Sequence, residues 1–298
     1  MPTILSIASG KGGAGKSMVA SNLALLLARR GHQVTLVDLD TGGANLHILF
    51  GLLHPPATLT DFLDRRCPTI QAVAQPIPLC TSLSLIPGTG ETLASANLQH
   101  AKKKRLIQHL RKLAADVIVV DVGAGTHYHT LDFFLSADLY LTVATPDPTS
   151  VLDLYRFIKL AAIRKVLSAF LARDPVSEAL TTKDFHSVEE VLEAVGATYE
   201  TGRHRAEATL ATFKPFMILN RMGKGSKVNT LHLQQMVKHY IGAELQILGQ
   251  IPDDEAVEQS IHHYLPVVEY APQAQASLSL QHIVANIERE LAMFCRSS

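Results

Sequence analysis

Four groups of residues in this chain could do chemistry, and each lies at a strand end. The first is "ASGKGGAGKS", residues 8–17, which fits G-x-x-x-x-G-K-[ST] from Gly10 to Ser17. Gly10, Gly12, Gly13 and Gly15 let a backbone wrap closely round a polyphosphate with its N–H groups turned inward. Lys16 brings charge to the terminal phosphates, and Ser17 offers a hydroxyl to Mg²⁺. The second is "LVDLDTGGANLH" (36–47), with Asp38 and Asp40. The third is "VIVVDVGAGT" (117–126), where Asp121 closes an apolar run and Gly123 and Gly125 follow. Asp121 suits a carboxylate that holds Mg²⁺ directly or through water. The fourth pairs "ILNRMG", containing Asn220, with "IPDD", containing Pro252 and Asp253. A guanine-reading motif would need an acidic residue where Gly223 stands, whereas Asn220 can meet an adenine edge with a donor and an acceptor.

Positioning these groups requires a sheet with its strand ends aligned. "TILSIA" (3–8), "QVTLVDLD" (33–40), "LSLIPG" (83–88), "DVIVVDVG" (116–123), "DLYLTVATP" (138–146), "PFMILNR" (215–221) and "LQILGQIP" (245–252) read as strands, with "PVVEY" (266–270) a weaker candidate. Most carry apolar residues at successive positions, as strands covered on both faces do. Amphipathic segments such as 16–30 and 102–113 alternate with them. The expected fold class is α/β, a doubly wound, mainly parallel sheet flanked by helices. One domain over 1–298 is the economical reading. It carries a helical insertion at about 164–213, where "SVEEVLEAV" opens with a capping box of Ser187 and Glu190.

Composition narrows the rest. The chain is 47% hydrophobic and 18% charged with a formal net charge of zero, so no global field draws it to DNA or acidic lipid. Its three cysteines are scattered and form no CxxC, which argues against a disulfide framework or a thiolate metal cage. No apolar stretch nears the roughly 18 residues of a membrane span, and no signal-peptide pattern precedes the first strand. A cytoplasmic protein is expected. The basic run "KKKRLIQHLRKL" (102–113) reads as a solvated helix face.

Lys11 is one lysine more than the phosphate-loop pattern needs. Taken alone, a salt bridge within its own loop and a reach to another molecule explain it equally well. The form K-G-G-x-G-K-[ST], however, resembles the deviant Walker A motif of the MinD/ParA group of P-loop ATPases. Within that group "GGANLH", "DVGAGTHYHTLDFF" and "ATPDPTSVLDLYRFIK" (144–159) are similar to the FlhG (FleN) type, MinD-like regulators of flagellar number and placement. The resemblance implies an ATP- and Mg²⁺-dependent homodimer in which Lys11 reaches phosphates in the partner subunit. It implies that Asp40 orients the attacking water, and that Gly125 belongs to a loop sensing the γ-phosphate. Pro252 and Asp253 are then the second adenine-side loop. Candidate catalytic residues are Lys11, Lys16 and Asp40; nucleotide contacts are Gly10 to Met18, Ala14 included, with Gly125, Asn220, Pro252 and Asp253; metal ligands are Ser17, Asp121 and Asp40.

Three partner surfaces follow from the same resemblance. A protein partner would read or stimulate the ATP state, with slow turnover in its absence. A C-terminal amphipathic helix could place the molecule at the inner membrane surface. Here, though, "LQHIVANIERELAMFCRSS" mixes Glu288, Arg289, Glu290 and Arg296 on its polar face, so core packing is favoured. DNA, as in ParA-like partitioning, would need a basic stripe that the neutral charge does not supply.

Overall fold

The computed structural model describes residues 1–40, 43, 45–88, 100–170, 180 and 183–297. Eight strands form one sheet among the described residues: β1 Thr3–Ala8, β2 Val34–Leu39, β3 Gln75–Pro76, β4 Leu83–Ile86, β5 Val117–Val122, β6 Leu139–Ala144, β7 Pro215–Met222 and β8 Gln246–Pro252. Their order is β3-β4-β2-β5-β1-β6-β7-β8. All neighbours are parallel except the edge pair β3–β4. Parallel pairing aligns the carboxyl ends of β1, β2, β5, β7 and β8 on one rim, and all four chemical groups sit there.

The helices are α1 Lys16–Arg29, α2 Leu59–Leu63, α3 His100–Leu110, α4 Tyr128–Leu135, α5 Pro148–Phe170, α6 Val188–Thr198, α7 Gly202–Ala211, α8 Thr230–Ile241, α9 Glu255–His262, α10 Val267–Tyr270 and α11 Gln275–Ser297. They cover both faces of the sheet, which is why the strands are apolar at successive positions. On β1, Ile4 and Ala8 join the core beneath α3 to α8, while Leu5 and Ile7 join the core beneath α1, α10 and α11. Alternate side chains of one strand therefore feed two separate apolar layers.

Three local expectations are corrected. Residues 267–270 are helical, not a strand: Pro266 precedes the turn, and Val268 N–H donates to Asn22 Oδ1 at 3.0 Å, a long-range bond that overrides β-branched propensity. The strand–helix unit expected to close near Arg164 continues as one helix to Phe170. The basic run on α3 is a solvated face only in part, with Lys104 and Lys112 exposed. Lys103 is buried against Asp132, Lys102 pairs with Asp64 at 2.9 Å, and Arg105 lies 4.3 Å over the Phe62 ring. The capping box at Ser187 forms as expected, with Glu190 N–H donating to Ser187 Oγ at 3.2 Å.

The apolar stripe of α11 is core. Leu280, Ile283, Val284, Ile287 and Leu291 are buried against α1 and β8. Glu288 on its outer side pairs with Arg30 at 2.5 Å. No helix among the described residues is long and apolar enough to cross a membrane.

Candidate functional site

The phosphate loop runs from the end of β1 into the first turn of α1, so the helix presents its free N–H groups and positive end to the loop's concavity. Two glycines have no substitute there. Gly15 caps α1 at φ 91°, and an added Cβ would lie 2.1 Å from Asn220 Nδ2. At Gly10 a Cβ would lie 2.3 Å from the carbonyl carbon of Asp153, so the α5 backbone occupies the space of a side chain.

The two lysines of the loop go to different places. Lys16, only 6% exposed, points into the cleft, with Nζ 3.7 Å from Asp40 Oδ2. Lys11 is half-buried and points away, its Nζ donating to Thr149 Oγ1 at 3.1 Å in the same chain. The alternative of a salt bridge within its own loop is not what forms. Thr149 is delivered by a tight turn. Thr145 Oγ1 donates to Asp147 Oδ2 at 2.6 Å, and Thr145 N–H donates to Ser150 Oγ at 3.0 Å. This is what "ATPDPTS" builds, a role the sequence did not disclose.

Ser17 Oγ donates to Asp121 Oδ2 at 2.6 Å, while Asp121 Oδ1 is buried with no partner. An unsatisfied buried carboxylate oxygen is costly, and the charge of Lys16 bears on this carboxyl. Burial pushes the Asp121 carboxyl up to about 6; the Lys16 charge and the Ser17 bond pull it down, and Asp40 adds to the rise. Its register partner on β2 is Asp38. Burial first, then the Asp121 charge, hold Asp38 well above the usual carboxylate range. Asp38 Oδ1 accepts from Asp40 N–H at 3.0 Å and Oδ2 from Leu46 N–H at 3.2 Å, so one carboxylate moors both ends of the loop that carries Asp40. Hard oxygen donors with one orphaned oxygen fit Mg²⁺, and Ser17, Asp121 and Asp40 are the groups available to hold it.

A cleft of about 1090 Å³ lies over these groups. It is lined by Gly12, Gly13, Gly15, Lys16, Ser17, Met18 and Asp40 at the phosphate end, and by Asn220, Pro252 and Asp253 at the other. Asn220 is 2% exposed, and its amide donates to Ala14 O at 2.9 Å. One of its donors thus braces the phosphate loop, leaving the carbonyl for a ligand. Asp253 N–H is held by Met222 O at 3.0 Å, which leaves its carboxylate exposed at the cleft. Gly125 is not in the lining. Its N–H donates to Ser9 O at 3.3 Å behind the loop, and Ala124 stands at the cleft instead. Arg221, at φ 57°, and Asn45 also line it and went unremarked in the sequence. The polar residue beside Asn220 was the available signal.

A strand–loop–helix phosphate cradle, a strand-end carboxylate bonded to the loop serine, and a second loop lysine directed outward occur here together. The profile of the CobQ/CobB/MinD/ParA nucleotide-binding domain matches residues 5–267. The chain belongs to this family. Antiactivator FleN of Pseudomonas aeruginosa is 30% identical over 287 residues, 96% of this chain and 86% of the relative. Flagellum site-determining protein YlxH of Helicobacter pylori is 34% identical over 264 residues, 86% of this chain and 78% of the relative. Among solved structures, septum site-determining MinD of Pyrococcus horikoshii, complexed with Mg-ADP, superposes with TM-score 0.69 at 21% identity, covering 99% of both chains. As a member of this family the chain carries a nucleotide-binding domain.

Proposed function

We propose that this MinD/ParA-family protein is a Mg²⁺-dependent ATPase that acts as an ATP-dimerised positioning or number-control switch. The carrying observation is the divergence of the two loop lysines: Lys16 lies in the cleft on Asp40, and Lys11 lies outside it on Thr149. Lys16 serves the nucleotide of its own subunit. Lys11 exchanges Thr149 for the phosphates of the facing subunit, so the second cation arrives only with assembly, in the manner of an arginine finger. Phosphate oxygens draw Lys16 off Asp40, and the Asp40 carboxylate orients a water against the γ-phosphorus. The water oxygen bonds to phosphorus as the β–γ bridging bond breaks, giving ADP and phosphate. Ser17 and Asp121 would hold Mg²⁺, whose charge would offset that of the phosphates.

One domain spans 1–298, with the helices α6 and α7 as an outward insertion available to a partner protein. Turnover is slow until that partner binds, and the switch works in the cytoplasm or at the inner membrane surface. The engaged lysines and arginine of α3 weigh against a DNA-tethered role. The designation of the Pseudomonas relative as an antiactivator supports a second reading, an ATP-loaded binding module whose hydrolysis is incidental. Light scattering of Asp40→Ala with ADP and with ATP tests the first reading: the mass doubles only with ATP. A monomer in both states overturns it in favour of the binding module.

A further inference from the structure

Two contacts fix where Lys11 stands relative to Thr149. The backbone of Asp153 fills the space that a Gly10 side chain would take, and Ser9 Oγ donates to Lys11 O at 2.6 Å. The main chain of Lys11 is thereby held against the first turns of α5, and its ammonium reaches Thr149 or leaves it by side-chain rotation alone. Thr149 is exposed and offers Lys11 a neutral hydroxyl. Carboxylates stand nearby in the chain but are engaged elsewhere. Asp147 Oδ2 accepts from Thr145 Oγ1 at 2.6 Å, and Asp153 Oδ1 accepts from Arg156 at 3.3 Å. A hydroxyl holds an ammonium more weakly than an anionic oxygen does, so a phosphate within reach displaces it.

We propose that Thr149 is a positioning residue for Lys11: its hydroxyl keeps the ammonium on its own subunit, and the strength of that hold sets the concentration at which ATP-loaded subunits pair. An isologous dimer breaks the bond twice, once in each subunit, so a change at Thr149 acts on assembly with doubled weight. A carboxylate in its place would retain Lys11 against the phosphates of the facing subunit. A side chain with no acceptor would release Lys11 beforehand. This proposal rests on the dimer reading and adds to it the residue that tunes assembly.

The test measures the dimer dissociation constant by light scattering over a dilution series with ATP. It uses the full chain carrying Asp40→Ala, alone and with Thr149→Val, Thr149→Ser or Thr149→Asp. The position is exposed in the first turn of a helix, where the helix dipole favours an aspartate, and melting temperatures verify folding. Thr149→Val tightens the dimer about tenfold, from about threefold for each hydrogen bond lost. Thr149→Asp weakens it about tenfold over the two subunits. Thr149→Ser keeps the hydroxyl and stays near the parent. A merely structural role moves Thr149→Val and Thr149→Asp in the same direction. That result overturns the proposal, as does a Thr149→Val dimer no tighter than the parent, a Thr149→Asp dimer no weaker, or a Thr149→Ser dimer that follows Thr149→Val. Failure of the Asp40→Ala parent itself to pair with ATP is a separate result, which overturns the dimer reading and this proposal with it.

Discussion

Ser17 Oγ and Asp121 Oδ2 are joined by a 2.6 Å hydrogen bond across the carboxyl ends of the sheet, with the other Asp121 oxygen buried and unpartnered. The Asp121 pKa of about 6 exceeds the unfolded value of 3.8. Its contribution to stability is therefore complete below the unfolded value and is lost as the pH rises through about 6. Were Asp121 to ligate Mg²⁺ directly, binding would displace this proton, and apparent Mg²⁺ affinity is expected to fall about tenfold per unit below that pH. Asp121→Asn is expected to melt higher than the parent at neutral pH without ligand, and to gain nothing from Mg²⁺. Thermal melts with and without Mg-ADP check both; a lower ligand-free melting temperature would contradict the assignment of strain to this carboxylate.

The lysines separate by substitution. Lys16→Ala loses ADP binding. Lys11→Ala retains ADP affinity within a few-fold, because its ammonium lies outside the cleft, but loses the ATP-dependent doubling of mass in an Asp40→Ala background. Calorimetry and light scattering read the two effects. A Lys11→Ala protein that still dimerises would remove the trans role.

Gly15→Ala and Gly12→Ala make a matched pair. A methyl at Gly15 meets Asn220 Nδ2 at 2.1 Å from a left-handed backbone, whereas one at Gly12 meets nothing within 4 Å. Strain at the first site is about 1–3 kcal/mol before the lost Asn220–Ala14 bond is counted. Gly15→Ala should lower the melting temperature of the free protein clearly, with Gly12→Ala near the parent. Equal melting temperatures would mean that the loop relaxes at no cost.

Ile283 on α11 is 1% exposed and packs on Gly249 of β8. Ile283→Ala is expected to cost about 2–5 kcal/mol by urea denaturation, as a core truncation does. A helix that leaves the body for a lipid surface would show almost no loss, together with retention on anionic vesicles.

Much of the site was legible because its signals are local. Gly10 to Ser17 is contiguous, and Asp40 and Asp121 each close a run whose continuous apolarity announces a strand buried on both faces. What stayed hidden depends on partners far along the chain. Lys11 finds Thr149, Asn220 finds Ala14, and Lys103 finds Asp132; none of these pairings leaves a trace in spacing or composition. The two-residue strand Gln75–Pro76 has no apolar run to reveal it, since an edge strand needs no second buried face. Val267–Tyr270 misleads for the opposite reason: its residues favour extended chain, and a bond from Val268 N–H to Asn22 fixes them as a helical turn.

Contact between Gly10 and the α5 backbone has a mechanical meaning. With no side chain between them, the phosphate loop and the start of α5 cannot tilt independently. The helix is 23 residues long in all, about 35 Å at the usual rise, and α6 and α7 rest on it. A rotation of a few degrees about the loop thus sweeps the far end through a couple of ångströms. In that geometry a nucleotide in the loop would work the short arm of a lever whose long arm ends among the outer helices.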